Sequence, residues 1–259
     1  MTRTPPRVLV ASVLSLGALV SVSGCTLGVQ AQQARAQAPA ASHSAVPSTT
    51  APAAPGPLTE EQAQAALVTA GDLGEPWEAT QGAATWRDGL LKATADAPDC
   101  RRLLDALYTD DLFGADSGPR AVTGLDDTMD QAQLRYQVLA LDPADVDRTL
   151  AWMKTLPSTC GRFTAVTERG APLHVRVGEA ELPEVGDARQ WLRVAFTGET
   201  ADGEQTLLSL DVAVVRVGDD TIALTHGGPG EVSADATTAF VQVGVQRLAD
   251  VRKQARLPV

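Results

Sequence analysis

Basic residues are in short supply in this 259-residue chain: 21 Lys and Arg stand against 32 Asp and Glu, a formal net charge of −11. A nucleic-acid binder needs a cationic face to neutralise phosphates, so this balance argues against that class. Cysteine is scarcer still: Cys25, Cys100 and Cys160 are too few for a disulfide scaffold or a protein with several metal centres. Histidine also numbers three, and aromatic residues make up 4% of the chain. No apolar run reaches the roughly 20 residues that a membrane-spanning helix needs. There is no Gly-x-Ser-x-Gly elbow, no His-Glu-x-x-His, no phosphate loop ending in Gly-Lys-Ser/Thr and no Cys-x-x-Cys. Enzymatic activity, a bound metal and a cofactor are therefore not expected.

What is present begins with an address. Arg3 and Arg7 precede an apolar stretch from Val8 to Val22, diluted only by Ser and Gly, and Ser23-Gly24-Cys25 follow. A basic start, a short apolar stretch and small residues before a cut site make a secretory signal peptide over residues 1–24. Val22-Ser23-Gly24-Cys25 resembles the bacterial lipobox, which implies a diacylglyceryl group on the Cys25 sulfur, cleavage before it, and anchoring at the outer face of the cell membrane. Residues 26–57 then contain no acid and are rich in Ala, Pro, Ser, Thr and Gln. That composition cannot bury enough apolar surface to offset chain entropy, so a disordered tether is expected, spanning about 30 Å as a flexible coil. His43 falls inside it. All 32 acids and 18 of the 21 basic residues follow residue 57, in one soluble head over 58–259 that an anionic bilayer would repel.

Within the head, Thr59 and Gln62 form a capping box that starts a helix, which Gly71–Pro76 should end. A second helix near Asp99 carries Leu103, Leu104 and Leu107 on one face. Between Met129 and Leu141, Ala132, Leu134, Tyr136, Val138 and Ala140 alternate with polar residues, as in a half-buried strand. Asp142-Pro143 opens a third helix with Val146, Leu150, Met153 and Leu156 as its buried stripe, and Pro157 should stop it. Strand-like runs follow at 163–167, 173–177, 191–197, 207–217 and 221–225, with turns at Asp202-Gly203 and Gly218–Asp220. Ser233 caps a closing helix bearing Phe240, Gly244, Leu248 and Val251. This order predicts an α+β fold, an antiparallel β-sheet packed against helices on one face.

Cys100 and Cys160 remain as an even pair in an oxidising compartment, so a structural disulfide is expected rather than reactive thiols or metal ligands. His226 ends a strand beside Gly227-Gly228-Pro229-Gly230, and that loop leads to the helix at Ser233, where an anion could sit. His174 alternates with Leu173 and Val175 and should face solvent. Trp77 and Trp86 lie in the irregular 75–90 segment, where aromatic residues have less reason to be core. Trp77, Trp86 and His226 are thus the candidate ligand-binding residues.

Ala65-Ala-Leu-Val-Thr-Ala-Gly-Asp-Leu-Gly-Glu-Pro-Trp77, Asp99-Cys-Arg-Arg-Leu-Leu104, Leu156-Pro-Ser-Thr-Cys-Gly-Arg-Phe163, Val185-Gly-Asp187 and Val215-Arg-Val-Gly-Asp-Asp-Thr-Ile222 occur in that order. Over about residues 58–255 the chain resembles the PknH-type extracellular sensor domain, found on receptor kinases and on lipoproteins of actinobacteria. The resemblance implies an α+β fold, a cleft for an unidentified small-molecule or lipid ligand, and no catalytic residues. The kinase-attached member looks to have two disulfides, against one pair here. The chain given contains no kinase sequence, so a signal would pass through an envelope protein partner. The expected function is a cell-envelope lipoprotein whose head binds a ligand in a sensor-like role. The alternative is a lipid or glycolipid carrier, which would need a deep apolar cavity.

Overall fold

A computed structural model describes residues 56–114, 116–199 and 203–255. The signal peptide, Cys25, His43, nearly all of the tether and Asp202 lie outside the described residues. Thr59 opens helix α1 (Glu60–Ala65): its Oγ1 accepts from the Gln62 N–H at 3.3 Å while the Gln62 side chain accepts from the Thr59 N–H at 2.9 Å. The residues from 71 on do not simply end this helix. Thr69 and Asp72 form a second capping box on a short helix α2 (Ala70–Leu73), and only Gly74, at φ +74°, breaks the chain away.

The remaining elements are β1 (Trp77–Ala79), a π-helical turn (Arg87–Leu91), β2 (Ala93–Thr94), α3 (Pro98–Thr109), β3 (Ala121–Asp127), β4 (Gln133–Leu139), α4 (Pro143–Thr159), β5 (Arg162–Thr167), β6 (Pro172–Ala180), β7 (Ala188–Glu199), β8 (Gln205–Val217), β9 (Asp220–Pro229) and α5 (Ala234–Gln254). The strands form one antiparallel sheet in the order β1-β3-β4-β9-β8-β7-β6-β5-β2. The α+β class is as the sequence predicts. Helices, however, cover both faces. Leu208, Leu210, Val212 and Val214 of β8 point into a first core with Leu103, Leu104 and Leu107 of α3 and Val146, Leu150, Met153 and Leu156 of α4. Ala213 and Val215 point the other way, into a second core with Ala63 of α1 and Phe240, Val241 and Leu248 of α5. The nearly continuous apolar run of β8 is the composition of a strand buried on both faces, unlike the clean alternation of β4 and β6.

Pro157 does not stop α4, which runs to Thr159. So near the end of the helix its missing N–H removes a single intrahelical bond, and the Cys160 N–H still donates to the Leu156 carbonyl at 2.7 Å. Cys100 and Cys160 are joined, with 5.5 Å between their Cα atoms, so that the start of α3 is tied to the end of α4. Asp220 joins the opposite ends of the head. Fully buried, it accepts from the Leu58 N–H at 3.0 Å and from Arg252 Nε of α5 at 3.0 Å.

Candidate functional site

Strand register decides which side chains can share a site, because alternate residues lie on opposite faces. On the α5 side, three rows run across the strands. One reads Gly178, Arg193, Asp211, His226; the next Arg162, Arg176, Ala195, Ser209, Gly228; the third Thr164, His174, Thr197, Leu207. Helix α5 covers the β8–β9 end of these rows and stops short of β5 and β6. Arg162, Thr164, His174, Arg176 and Leu207 are consequently exposed, and Arg193, Ala195 and Thr197 half-buried. The result is a trough of about 800 Å³ whose lining includes Ser158, Thr159, Arg162, Arg176, Arg193, Ala195, Thr197, Leu207 and Glu231.

A buried polar chain leaves the trough at Arg193. Its Nε and Nη2 donate to the two oxygens of Asp211, each at 2.8 Å, and Asp211 is fully buried. Such a two-pronged guanidinium–carboxylate pair is strong and directional. Thr237, in the first turn of α5, donates its hydroxyl to Asp211 Oδ2 at 2.7 Å, and His226 Nδ1 lies 2.8 Å from the same hydroxyl oxygen. Thr237 has one hydroxyl proton; with it given to Asp211, the His226 Nδ1–H is the donor to Thr237. Burial holds the His226 pKa down to about 4, against the pull of the Asp211 and Asp127 charges. The imidazole is therefore neutral at pH 7. It packs edge-on to Trp77 at 5.7 Å and to Phe240 at 5.0 Å, and Trp77 meets Phe240 at 4.9 Å.

The structure thus brings Trp77 and His226 together, His226 buried and Trp77 half-buried against the second core. Trp86 lies apart from them, packed against the first core. It borders a separate groove of about 370 Å³ lined by residues 81–86, Asp126, Asp127 and 131–133. Much of that groove's polar lining is already engaged, since Gln133 Nε2 donates to the Gly82 carbonyl at 2.9 Å and to Asp126 Oδ1 at 2.8 Å. The glycines after His226 form no loop: Gly227, Gly228 and Pro229 continue β9. A Cβ at Gly227 would come within 1.9 Å of Leu210 Cδ2, and one at Gly228 within 2.8 Å of Ala132 Cα, so both glycines serve close packing. His174 is exposed, as its alternation predicts.

Asp110 ends α3 in a left-handed conformation and pairs with Arg87 at 2.8 Å and Arg135 at 3.2 Å. Burial pushes its carboxyl up, and the two guanidinium groups pull it back only in part. This cluster binds the end of α3 to β4. Among the described residues, no group of three His, Cys, Asp or Glu side chains is placed to hold a metal ion, and no helix is long and apolar enough to cross a membrane. Sequence reasoning missed Arg162, Arg176, Arg193 and Asp211. Each alternates with apolar neighbours, a signal of facing, but only cross-strand register puts them on one floor.

No protein-family model and no curated protein matches the chain. In structure it is similar to the extracellular domain of PknH from Mycobacterium tuberculosis, at 18% identity and a TM-score of 0.44, covering 76% of this chain and 98% of that domain. It is also similar to a point mutant of the protein Mog1, at 11% identity and a TM-score of 0.25, covering 52% of this chain and 79% of that one. Similarities of this strength bear on neither ligand nor role.

Proposed function

We propose that this chain is a non-enzymatic ligand-binding domain displayed outside the cell membrane, held by lipid on Cys25 and the tether of residues 26–57, with the trough over β5–β8 as its binding surface. The observation that carries the reading is the exposure of that half of the sheet on the α5 side, which presents a concavity of ligand size, about 800 Å³. The non-enzymatic part is supported by His226, whose imidazole is buried, neutral and committed to Thr237. The sensor-like role is supported by the ordered motifs of residues 65–222. A lipid or glycolipid carrier would need an enclosed apolar cavity, whereas the trough is open and carries Arg162, Arg176 and Arg193.

Native mass spectrometry of the protein taken from its own envelope tests the reading. Wild-type protein should retain a ligand that Ala195→Trp, which fills the trough, loses. The same ligand retained by both proteins would place binding elsewhere, and none in either would remove the support for a binding domain.

A further inference from the structure

Arg162 and Arg176 are direct cross-strand partners on the uncovered face. Residues so paired have Cβ atoms about 5 Å apart, and like charges in that position repel. Neither arginine has an ion-pair partner among the described residues. Helix α4 ends shortly before Arg162, and its terminal carbonyls attract a cation, which accounts for one arginine but not for the pair. Arg193 stands diagonal to Arg176 on the next strand, opposite Gly178, where an added Cβ would meet nothing within 4 Å. Asp211 fixes Arg193, and Glu231 lies close enough to raise its pKa further. Asp211 and Glu231 thus serve Arg193. Glu179 also lines the trough, but by register its side chain belongs to the opposite face, where it accepts from Gln190 Nε2 at 3.0 Å. In a chain with 32 acids to 21 bases, two adjacent uncompensated guanidinium groups above a floor of small residues are a gap in charge that an anion closes.

We propose that the trough binds a soluble phosphate monoester, with Arg162 and Arg176 as the paired clamp and Arg193 as a pre-set third donor. This rests on the trough being the binding surface. A phosphate monoester carries nearly two charges and three acceptor oxygens, so it offsets both guanidinium groups, where a single carboxylate offsets one. The acidic head is repelled from an anionic bilayer, which favours a soluble phosphate over a lipid headgroup.

Calorimetric titration of the mature full chain with inorganic phosphate and with glycerol 3-phosphate tests this. Binding is expected, weakening as NaCl rises. Arg162→Gln with Arg176→Gln should weaken it at least tenfold while leaving the melting temperature unchanged or higher, because the repelling pair is gone. Arg176→Lys, which keeps the charge but loses the fork, should fall between. Equal affinity in the double variant, or no binding of either phosphate by folded wild-type protein, would overturn the proposal. Binding only to vesicles of phosphatidic acid in phosphatidylcholine would overturn the soluble source. A neutral ligand retained from the envelope and lost in Ala195→Trp would overturn the phosphate while leaving the trough as the binding surface.

Discussion

His226 shows how one residue converts burial into pH dependence. Its folded pKa of about 4 lies below the ordinary 6.5, so between these values the unfolded chain binds a proton that the folded one refuses. Stability from this residue is undiminished above pH 6.5 and falls as pH drops toward 4, with no further loss below. Between pH 7 and pH 4.5, wild-type protein should lose about 2–3 kcal/mol more than His226→Gln in urea unfolding, at 1.36 kcal/mol for each unit of differential protonation. Equal losses would mean that His226 is protonated in the fold. Asp211 makes a second test. Removing one partner of a buried ion pair costs about 3–5 kcal/mol, and with Arg193 40% exposed to water Asp211→Ala should sit near the lower end. Denaturant midpoints should show a larger loss in Asp211→Ala than in Thr237→Val, which removes the hydroxyl but leaves the ion pair. Neither dependence was legible in the sequence. His226 reads there as a strand end beside a glycine loop, and its real surroundings arise from Asp211 on β8 and Thr237 on α5, which the chain order keeps apart.

At the scale of elements, α5 lies on the sheet because Gly244 lets it approach Tyr136. A Cβ at position 244 would fall 2.4 Å from the Tyr136 hydroxyl and 2.8 Å from its ring. Gly244→Ala gains about 1 kcal/mol of helix propensity, but overpacking a rigid core costs about 1–3 kcal/mol. The tyrosine is fully buried and has no room to yield, so a net loss of stability is expected by thermal or urea unfolding. Tyr136→Phe should do the reverse: the buried hydroxyl has no hydrogen-bond partner among the described residues, and removing it should stabilise by about 1 kcal/mol. Much at this scale was written locally. The capping at Thr59, the Asp142-Pro143 start of α4, the stripes of α3 and α4 and the strands from β5 to β9 follow from periodicity and caps alone. What did not follow was β3, whose Gly124 and Asp126-Asp127 weaken its strand character until β4 and β1 pair with it on either side. The second helical layer was missed for a related reason: α1 and α5 lie far apart in the sequence of the head although they pack together, and only the doubly buried β8 hinted that both faces are covered.

At the scale of the whole molecule, the head is closed by long-range ties, and the covalent one needs the oxidising compartment that the proposed export would provide. The Cys100–Cys160 bridge closes a loop of 60 residues, worth about 4 kcal/mol in the chain-entropy model. Cys100→Ser with Cys160→Ser should therefore lower the unfolding free energy by several kcal/mol, and dithiothreitol should do so in wild-type protein but not in the variant. The stretch before the head carries no acid up to residue 57 and places Cys25 behind small residues, the pattern on which the proposed attachment rests. On the proposed reading, two or more acyl chains at Cys25 would give stable anchoring, whereas the acidic head offers an anionic bilayer only repulsion. With the proposed lipid on Cys25 as the anchor, Cys25→Ala should move the protein from the membrane fraction to the medium, with its disulfide formed and its melting temperature unchanged. Membrane retention of Cys25→Ala would show that something other than lipid holds the chain there, and the trough and its facing sheet edge would become the surfaces to test for that contact.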